Sequence, residues 1–258
     1  MISSESFNFQ EIECFRFGYN PIGKPFLFVN IYFVDGLLID TGQSKAQKAI
    51  LGTLERLDVK QIFITHHHED HTGNILTLRD KFKCQVLASP RCCEVMKAPP
   101  PLSLAQKLVW GVRPSYSDLI STEEVLTTDN NRFSLIPIPG HAEDMVALYE
   151  PNMGWLFSAD LYINSYIGYF LKSESIDQQI TSLKKVLNID FQTLFCSHNH
   201  PINDGKQKLD EKLDYLLNFR SKVIELYQQG NNTKQIFKLL KLKEHGFTYL
   251  ISHGELLK

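Results

Sequence analysis

Over its first 200 residues the chain alternates short β-branched or aromatic runs with stretches whose apolar positions recur at helical spacing. Phe26–Val34 and Leu37–Asp40 flank Asp35-Gly36, a two-residue turn of the kind that closes hairpins. Ser44 opens a helix carrying Ala46, Ala49, Ile50, Thr53, Leu54 and Leu57 on one face. QIFIT (61–65) predicts a buried strand, and a polar loop leads from it to a helix over Asn74–Phe82. Strand Gln85–Ala88 runs into Ser89-Pro90, a helix start with proline in the first turn. Strand patterns resume at Glu124–Thr127 and continue through FSLIPIP, MVALYE and GWLFSA. A helix over Ser175–Leu187 and a strand over Thr193–Cys196 follow.

Two regions break this rhythm. Residues 98–118 open with the rigid segment APPPLS and hold a short helix with an aromatic exit, which predicts an insertion acting either as a lid or as an oligomer contact. From Lys206 the pattern is helical, with Leu209, Leu213, Leu216, Leu217, Phe219, Val223 and Ile224 on the buried face and Gly230 as the stop. Thr233 is read as the cap of a further helix. The expected organisation is a catalytic domain over 1–205 and a helical segment over 206–258 packed on or beside it.

Composition narrows the class. At 43% hydrophobic and 22% charged residues, a disordered or fibrous chain is excluded. The formal charge of −2 hides an asymmetry: the tail from 206 holds ten Lys/Arg against six Asp/Glu, leaving residues 1–205 at −6. A nucleic-acid partner is therefore not favoured. No run reaches the ~18 apolar residues of a membrane span, and MISSESFNFQEIE lacks the basic-then-apolar pattern of a signal peptide. Five scattered cysteines without a CxxC read as reduced thiols, so a cytoplasmic setting is expected. Cys92-Cys93 reads as a small apolar site on a helix.

The chemistry concentrates in Thr65-His66-His67-His68-Glu69-Asp70-His71. Packing gives no reason for four imidazoles in six residues, whereas metal ligation does, because neutral imidazole is the commonest metal ligand. Further polar residues stand where apolar strands end: His141 after SLIPIPG, Asp160 after WLFSA, His198 after TLFCS. Four strands emptying histidine or aspartate at one end would gather those side chains along one sheet edge, where open α/β architectures bind ligands.

With His66-x-His68-x-Asp70-His71, Pro139-Gly140-His141, Asp160 and His198, residues 11 to about 205 resemble the metallo-β-lactamase superfamily of dinuclear hydrolases. The resemblance implies an αββα sandwich of the α/β class. It implies a first metal on His66, His68 and His141 and a second on Asp70, His71 and His198, with Asp160 bridging. It further implies a metal-bridging hydroxide as nucleophile and Asp70 as the catalytic proton acceptor. Zinc suits this N/O ligand set, which also accepts iron or manganese.

Within the superfamily, Ser158-Ala159-Asp160 disfavours the antibiotic-degrading branch that has cysteine at the second metal. His68 stands where di-iron oxygen reductases usually have glutamate. The chain is similar to glyoxalase II-like hydrolases, which implies a small-molecule thioester or ester substrate. Lactones and phosphodiesters are the alternatives within catalysis, and a non-catalytic metal-binding protein is the alternative outside it. A homo-oligomer is compatible with these features.

Two segments depart from the family. Cys-Ser-His198-Asn-His200-Pro replaces the usual Gly-His-Gly, so His200 competes with His198, which is nearer the strand end. LYINSYIGYF after Asp160 does not match glutathione-binding segments. Asp40, at the end of Leu37–Asp40, reads equally as a support for the metal loop and as a turn cap. His67 and Glu69 read as solvated or scaffold positions, His245 and His253 as surface. Trp110, Tyr116, Tyr162, Tyr166 and Tyr169 fit a pocket and a core equally well.

Overall fold

Two β-sheets face each other, and each buries its outer side under helices. The computed structural model describes residues 1–20, 23–25, 27–166, 173–240 and 242. The first sheet has seven strands in sequence order: β1 (Ile2–Phe9), β2 (Ile12–Tyr19), β3 (Phe28–Val34), β4 (Leu37–Ile39), β5 (Gln61–Ile64), β6 (Gln85–Ala88) and β7 (Ile120–Ser121). β1 to β4 pair antiparallel, and β4 to β7 pair parallel. Between them lie α1 (Gln47–Leu54), α2 (Glu69–Thr72), α3 (Ile75–Phe82), α4 (Pro90–Lys97) and α5 (Leu104–Val109).

The second sheet contains β8 (Val125–Thr127), β9 (Arg132–Pro137), β10 (Val146–Glu150), β11 (Trp155–Ala159) and β12 (Thr193–Cys196), in spatial order β12-β11-β10-β9-β8. Only β11 and β12 pair parallel, joined by a crossover that includes α6 (Ile176–Leu187). α7 (Gly205–Gln228) and α8 (Thr233–Leu239) follow, and a 3₁₀ turn over Ser44–Ala46 leads into α1.

The period of two along the strands divides the core into three layers. On β5, Ile62 and Ile64 point to the helices and Phe63 to the opposing sheet; on β11, Trp155 and Phe157 face that sheet and Leu156 the helices. The layer between the sheets therefore holds Tyr32, Leu37, Ile39 and Phe63 against Phe133, Leu148, Trp155, Phe157 and Phe195. One outer layer packs Ile50, Leu54, Ile75 and Leu78 on the first sheet. The other packs Ile180, Leu183, Leu209, Leu213 and Leu216 on the second. This is the expected αββα sandwich with a C-terminal helix.

Several boundaries differ from the sequence reading. β1 and β2 form a hairpin over 2–19 that periodicity did not reveal. β1 is an edge strand with one exposed face and one half-buried at Ser3, Phe7 and Phe9, and β2 carries Glu13 and Arg16 among its apolar residues. Asn232 caps α8 through a reciprocal capping box with Gln235, and Thr233 is the first helical residue. Ser89 caps α4 as expected, accepting from the Cys92 N–H. Among the described residues no helix is long and apolar enough to cross a membrane. Phe26, Tyr169, His245 and His253 lie outside the described residues.

Candidate metal centre

Strand ends deliver the polar side chains. Asp40, just past β4, adopts a left-handed conformation (φ 64°) while its N–H still donates to the Phe63 carbonyl across to β5. Its Oδ1 accepts from the Thr65 N–H at 2.9 Å, and its Oδ2 accepts from His71 Nδ1 at 2.8 Å. Of its two sequence readings, the support for the metal loop is the one its contacts match. His68 leads into α2 with an extended backbone, and its carbonyl accepts from the His71 and Thr72 N–H groups, both at 3.0 Å. That single helical turn brings Asp70 and His71 back over His66.

His67 and Glu69 are not solvated. His67 donates through its N–H and through Nδ1 to the two oxygens of buried Asp144, at 2.9 and 2.7 Å. Glu69 accepts from Arg113 Nη1 at 3.2 Å, and each of those side chains is 4% exposed. Both residues tie the motif to neighbouring segments. Arg113 lies within the 98–118 insertion, and its Nη2 also donates to the Pro100 carbonyl at 2.5 Å.

The second half contributes one residue per strand end. His141 follows Gly140, whose φ of 139° and whose approach to the Gln179 backbone nitrogen leave no room for a Cβ, which would sit 2.6 Å away. Asp160 follows an irregularity in β11, where the register against β12 shifts between Phe157 and Ala159. Such bulges redirect the side chains beyond them. His198 is set from the opposite sheet: its Nδ1 donates to the Phe28 carbonyl at 2.8 Å, and Asn30 Nδ2 donates to the Cys196 and Asn199 carbonyls at 2.8 and 2.5 Å. His200 points elsewhere. Its side chain is 55% exposed, and it lies against Phe7 and Arg16.

Two groups result. One is His66, His68 and His141; the other is Asp70, His71, Asp160 and His198. Within each group the ligand-type atoms all lie within 4.8 Å of one another. Asp160 touches both, with Oδ2 3.3 Å from His141 Nε2 and 3.1 Å from His198 Nε2, and Oδ1 3.3 Å from His71 Nε2. Carbonyl or carboxylate acceptors at Nδ1 of His71, His141 and His198 leave each Nε2 turned inward.

The electrostatics split accordingly. Burial, reinforced by neighbouring imidazoles, holds His66 and His68 well below the usual histidine range, so both rings are neutral at pH 7. Burial also opposes protonation of His71, His141 and His198, but the carboxylates around them outweigh it and raise all three, His141 to about 10. Asp160 is pushed well below its ordinary value: His198 and His71 overcome the cost of its burial.

The donor set fits divalent cations. Buried polar atoms nearly always have a partner. Of the seven buried side-chain atoms lacking a hydrogen bond among the described residues, three are His66 Nε2, His71 Nε2 and Asp160 Oδ1. All three belong to these groups.

Sequence reasoning missed Asn30, Asp144, Glu174 and Arg113, which bond to the segments and side chains of the centre, and buried Lys212, which bonds the carbonyl of Leu161. Glu174 accepts from His141 Nδ1 at 2.6 Å. Lys212 had a visible signal, since it interrupts the apolar face of α7; the others carry no periodic or motif signature.

Comparison with known proteins agrees with this geometry. The chain is 26% identical over 146 residues to a hydroxyacylglutathione hydrolase of Bdellovibrio bacteriovorus, a match covering 56% of this chain and 51% of that protein. It is 25% identical over 240 residues to beta-lactamase-like protein 2 homolog of Drosophila melanogaster, covering 87% and 77%. Among solved structures, a metallo-beta-lactamase family protein of Thermus thermophilus superposes with a TM-score of 0.70 at 21% identity, over 95% of this chain and 91% of that one. The family model described as metallo-beta-lactamase superfamily matches residues 25–198, more than half of the chain, and the protein belongs to that superfamily.

Proposed function

We propose that the protein is a dinuclear metal-dependent hydrolase acting on a small-molecule thioester or ester. His66, His68 and His141 would hold one ion. Asp70, His71 and His198 would hold the other, and Asp160 would serve both. The observation that carries the reading is Asp160, whose two oxygens reach Nε2 atoms of both groups inside a buried cluster. Two divalent ions bound there would acidify a shared water and polarise the scissile carbonyl. Zinc suits the ligand set best; iron and manganese are also compatible with it.

The chain's own residues supply the rest. Asp40, Glu174 and the Phe28 carbonyl fix the orientation of His71, His141 and His198 by accepting from Nδ1. Asp70 Oδ2, 3.6 Å from His71 Nε2 and 3.7 Å from His198 Nε2, is the carboxylate placed to accept the proton released during hydrolysis. Burial of His66, Asp70, His71, Asp160 and His198 keeps bulk water from competing at their ligand atoms.

The hydroxyacylglutathione hydrolase names among the relatives support a thioester, although the first of those matches spans about half of its relative's length. Zinc-supplied protein should contain two ions per chain and hydrolyse S-lactoylglutathione or an acyl-CoA faster than a lactone or bis-nitrophenyl phosphate. Asp70→Ala should lose turnover far more than melting temperature. A ceiling of one ion per chain would refute the dinuclear reading, and preference for the phosphodiester would refute the substrate class.

A further inference from the structure

α7 turns Leu209, Leu213 and Leu216 toward the second sheet, and Lys212 lies on the same face, 4% exposed. Helical spacing calls for an apolar side chain there, and lysine is almost never fully buried unless paired. Its Nζ donates to the Leu161 carbonyl at 2.6 Å. Burial pulls the ammonium down to about 8 against the carboxylates of Glu174 and Asp160. A charge is thus held in the core at a cost.

The acceptor locates the benefit. Leu161 directly follows Asp160, the residue that touches both groups of the centre. Two further bonds tie down the same segment: Asn199 Nδ2 donates to the Ile163 carbonyl at 2.9 Å, and Ser165 Oγ donates to Glu211 at 3.0 Å. Glu211 is the neighbour of Lys212 on α7, so adjacent residues of one helix hold the chain as it leaves Asp160.

We propose that Lys212 is a positioning residue of the metal centre, clamping the Leu161 carbonyl from α7 and thereby fixing the direction of Asp160. This rests on the reading of Asp160 as a ligand. It makes α7 part of the site. The role is separable from packing and from charge. Methionine has a similar length and no desolvation penalty, so a packing position would accept it without loss. An ammonium beside a cation site repels cations, so a role through charge alone predicts tighter metal binding once it is removed.

The test compares wild-type protein with Lys212→Met and Lys212→Gln. It uses the melting temperature of metal-free protein, visible spectra during cobalt(II) titration, and chelator competition. Lys212→Met should keep or raise the metal-free melting temperature, shift the cobalt bands, and weaken the more loosely held ion about tenfold. Lys212→Gln keeps an N–H donor and should fall between the two.

A lower melting temperature with wild-type cobalt bands would make Lys212 merely structural. Tighter cobalt binding would make it a charge effect. A Gln variant no better than Met would remove the hydrogen bond from the explanation. Each result overturns the proposal while wild-type protein still loads two ions. Wild-type protein that takes up no cobalt would instead overturn the metal reading itself, and this inference with it.

Discussion

The two halves of the sandwich build the centre in different ways. The first half supplies His66, His68, Asp70 and His71 from one continuous stretch, a strand end and a single helical turn. Asp40 holds Thr65 and His71 and Arg113 covers Glu69 from within that half, while Asp144 of the second half holds His67. The second half supplies His141, Asp160 and His198 from three separate strand ends. Its braces come from afar, with Glu174 on His141, Phe28 and Asn30 of the opposite sheet on His198, and Lys212 of α7 behind Asp160. A contiguous motif needs only local geometry to converge, whereas a dispersed one depends on sheet register and on packing between layers. The second half is therefore where small distant changes should be felt.

The largest expected effect tests the link between the halves. Asp160→Ala removes a carboxylate that reaches both groups, and turnover should fall about a thousandfold, ~4 kcal/mol of lost transition-state stabilisation. A residual rate above a tenth of wild type would mean the halves act independently.

Arg113→Met probes the first half. It leaves the Glu69 carboxylate buried without its cation, and unfolding free energy should drop by about 3 kcal/mol. Denaturant titration should show most of that loss recovered in Glu69→Gln/Arg113→Met. Absence of recovery would show that Arg113 acts through some other contact.

His198→Ala against His200→Ala sharpens the assignment in the second half. Elemental analysis should give one ion per chain for the first variant and two for the second. The reverse pattern would exchange their roles. Asn30→Ala, which touches neither proposed ligand side chain, should weaken the more loosely held ion about tenfold, in the range seen when partners behind ligands are lost. Unchanged affinity would remove the opposite sheet from the account.

The smallest effect is a pH dependence. Lys212 titrates near 8 in the folded chain and near 10.5 when unfolded. Below pH 8 both states hold the proton and its burial weakens the fold. Between pH 8 and 10.5 the unfolded state binds more protons, so stability rises with pH. Other groups also titrate there, so the observable is the difference between wild type and Lys212→Met measured on metal-free protein. That difference should change across this window, and a flat difference would show that the folded-state pKa is not depressed.

How much of this was legible follows the same division. The strands from β3 to β12 were readable apart from short β7, because buried strands read as dense apolar runs between turn residues. The β1–β2 hairpin was not: only Phe7 and Phe9 mark the half-buried face of β1, and the serines and Glu5 before them give too few apolar positions to read as a strand. His66 to His71 announce themselves by proximity in sequence. His141, Asp160 and His198 were found as polar residues ending apolar strands.

By itself the sequence determined the strand-end placement of the polar residues and the crowding of imidazoles in one loop, since both follow from local pattern and spacing, while the αββα class was what the resemblance carried by those residues implied. Only the tertiary structure decided that His198 turns inward while His200 faces Phe7 and Arg16, because that choice rests on the Phe28 carbonyl and on Asn30 in the other sheet. Only it decided that His67 and Glu69 are buried, because Asp144 and Arg113 reach them from 77 and 44 residues away. Hydrogen bonds between layers depend on distances that no periodicity along the chain encodes, and the braces of this centre are bonds of that kind.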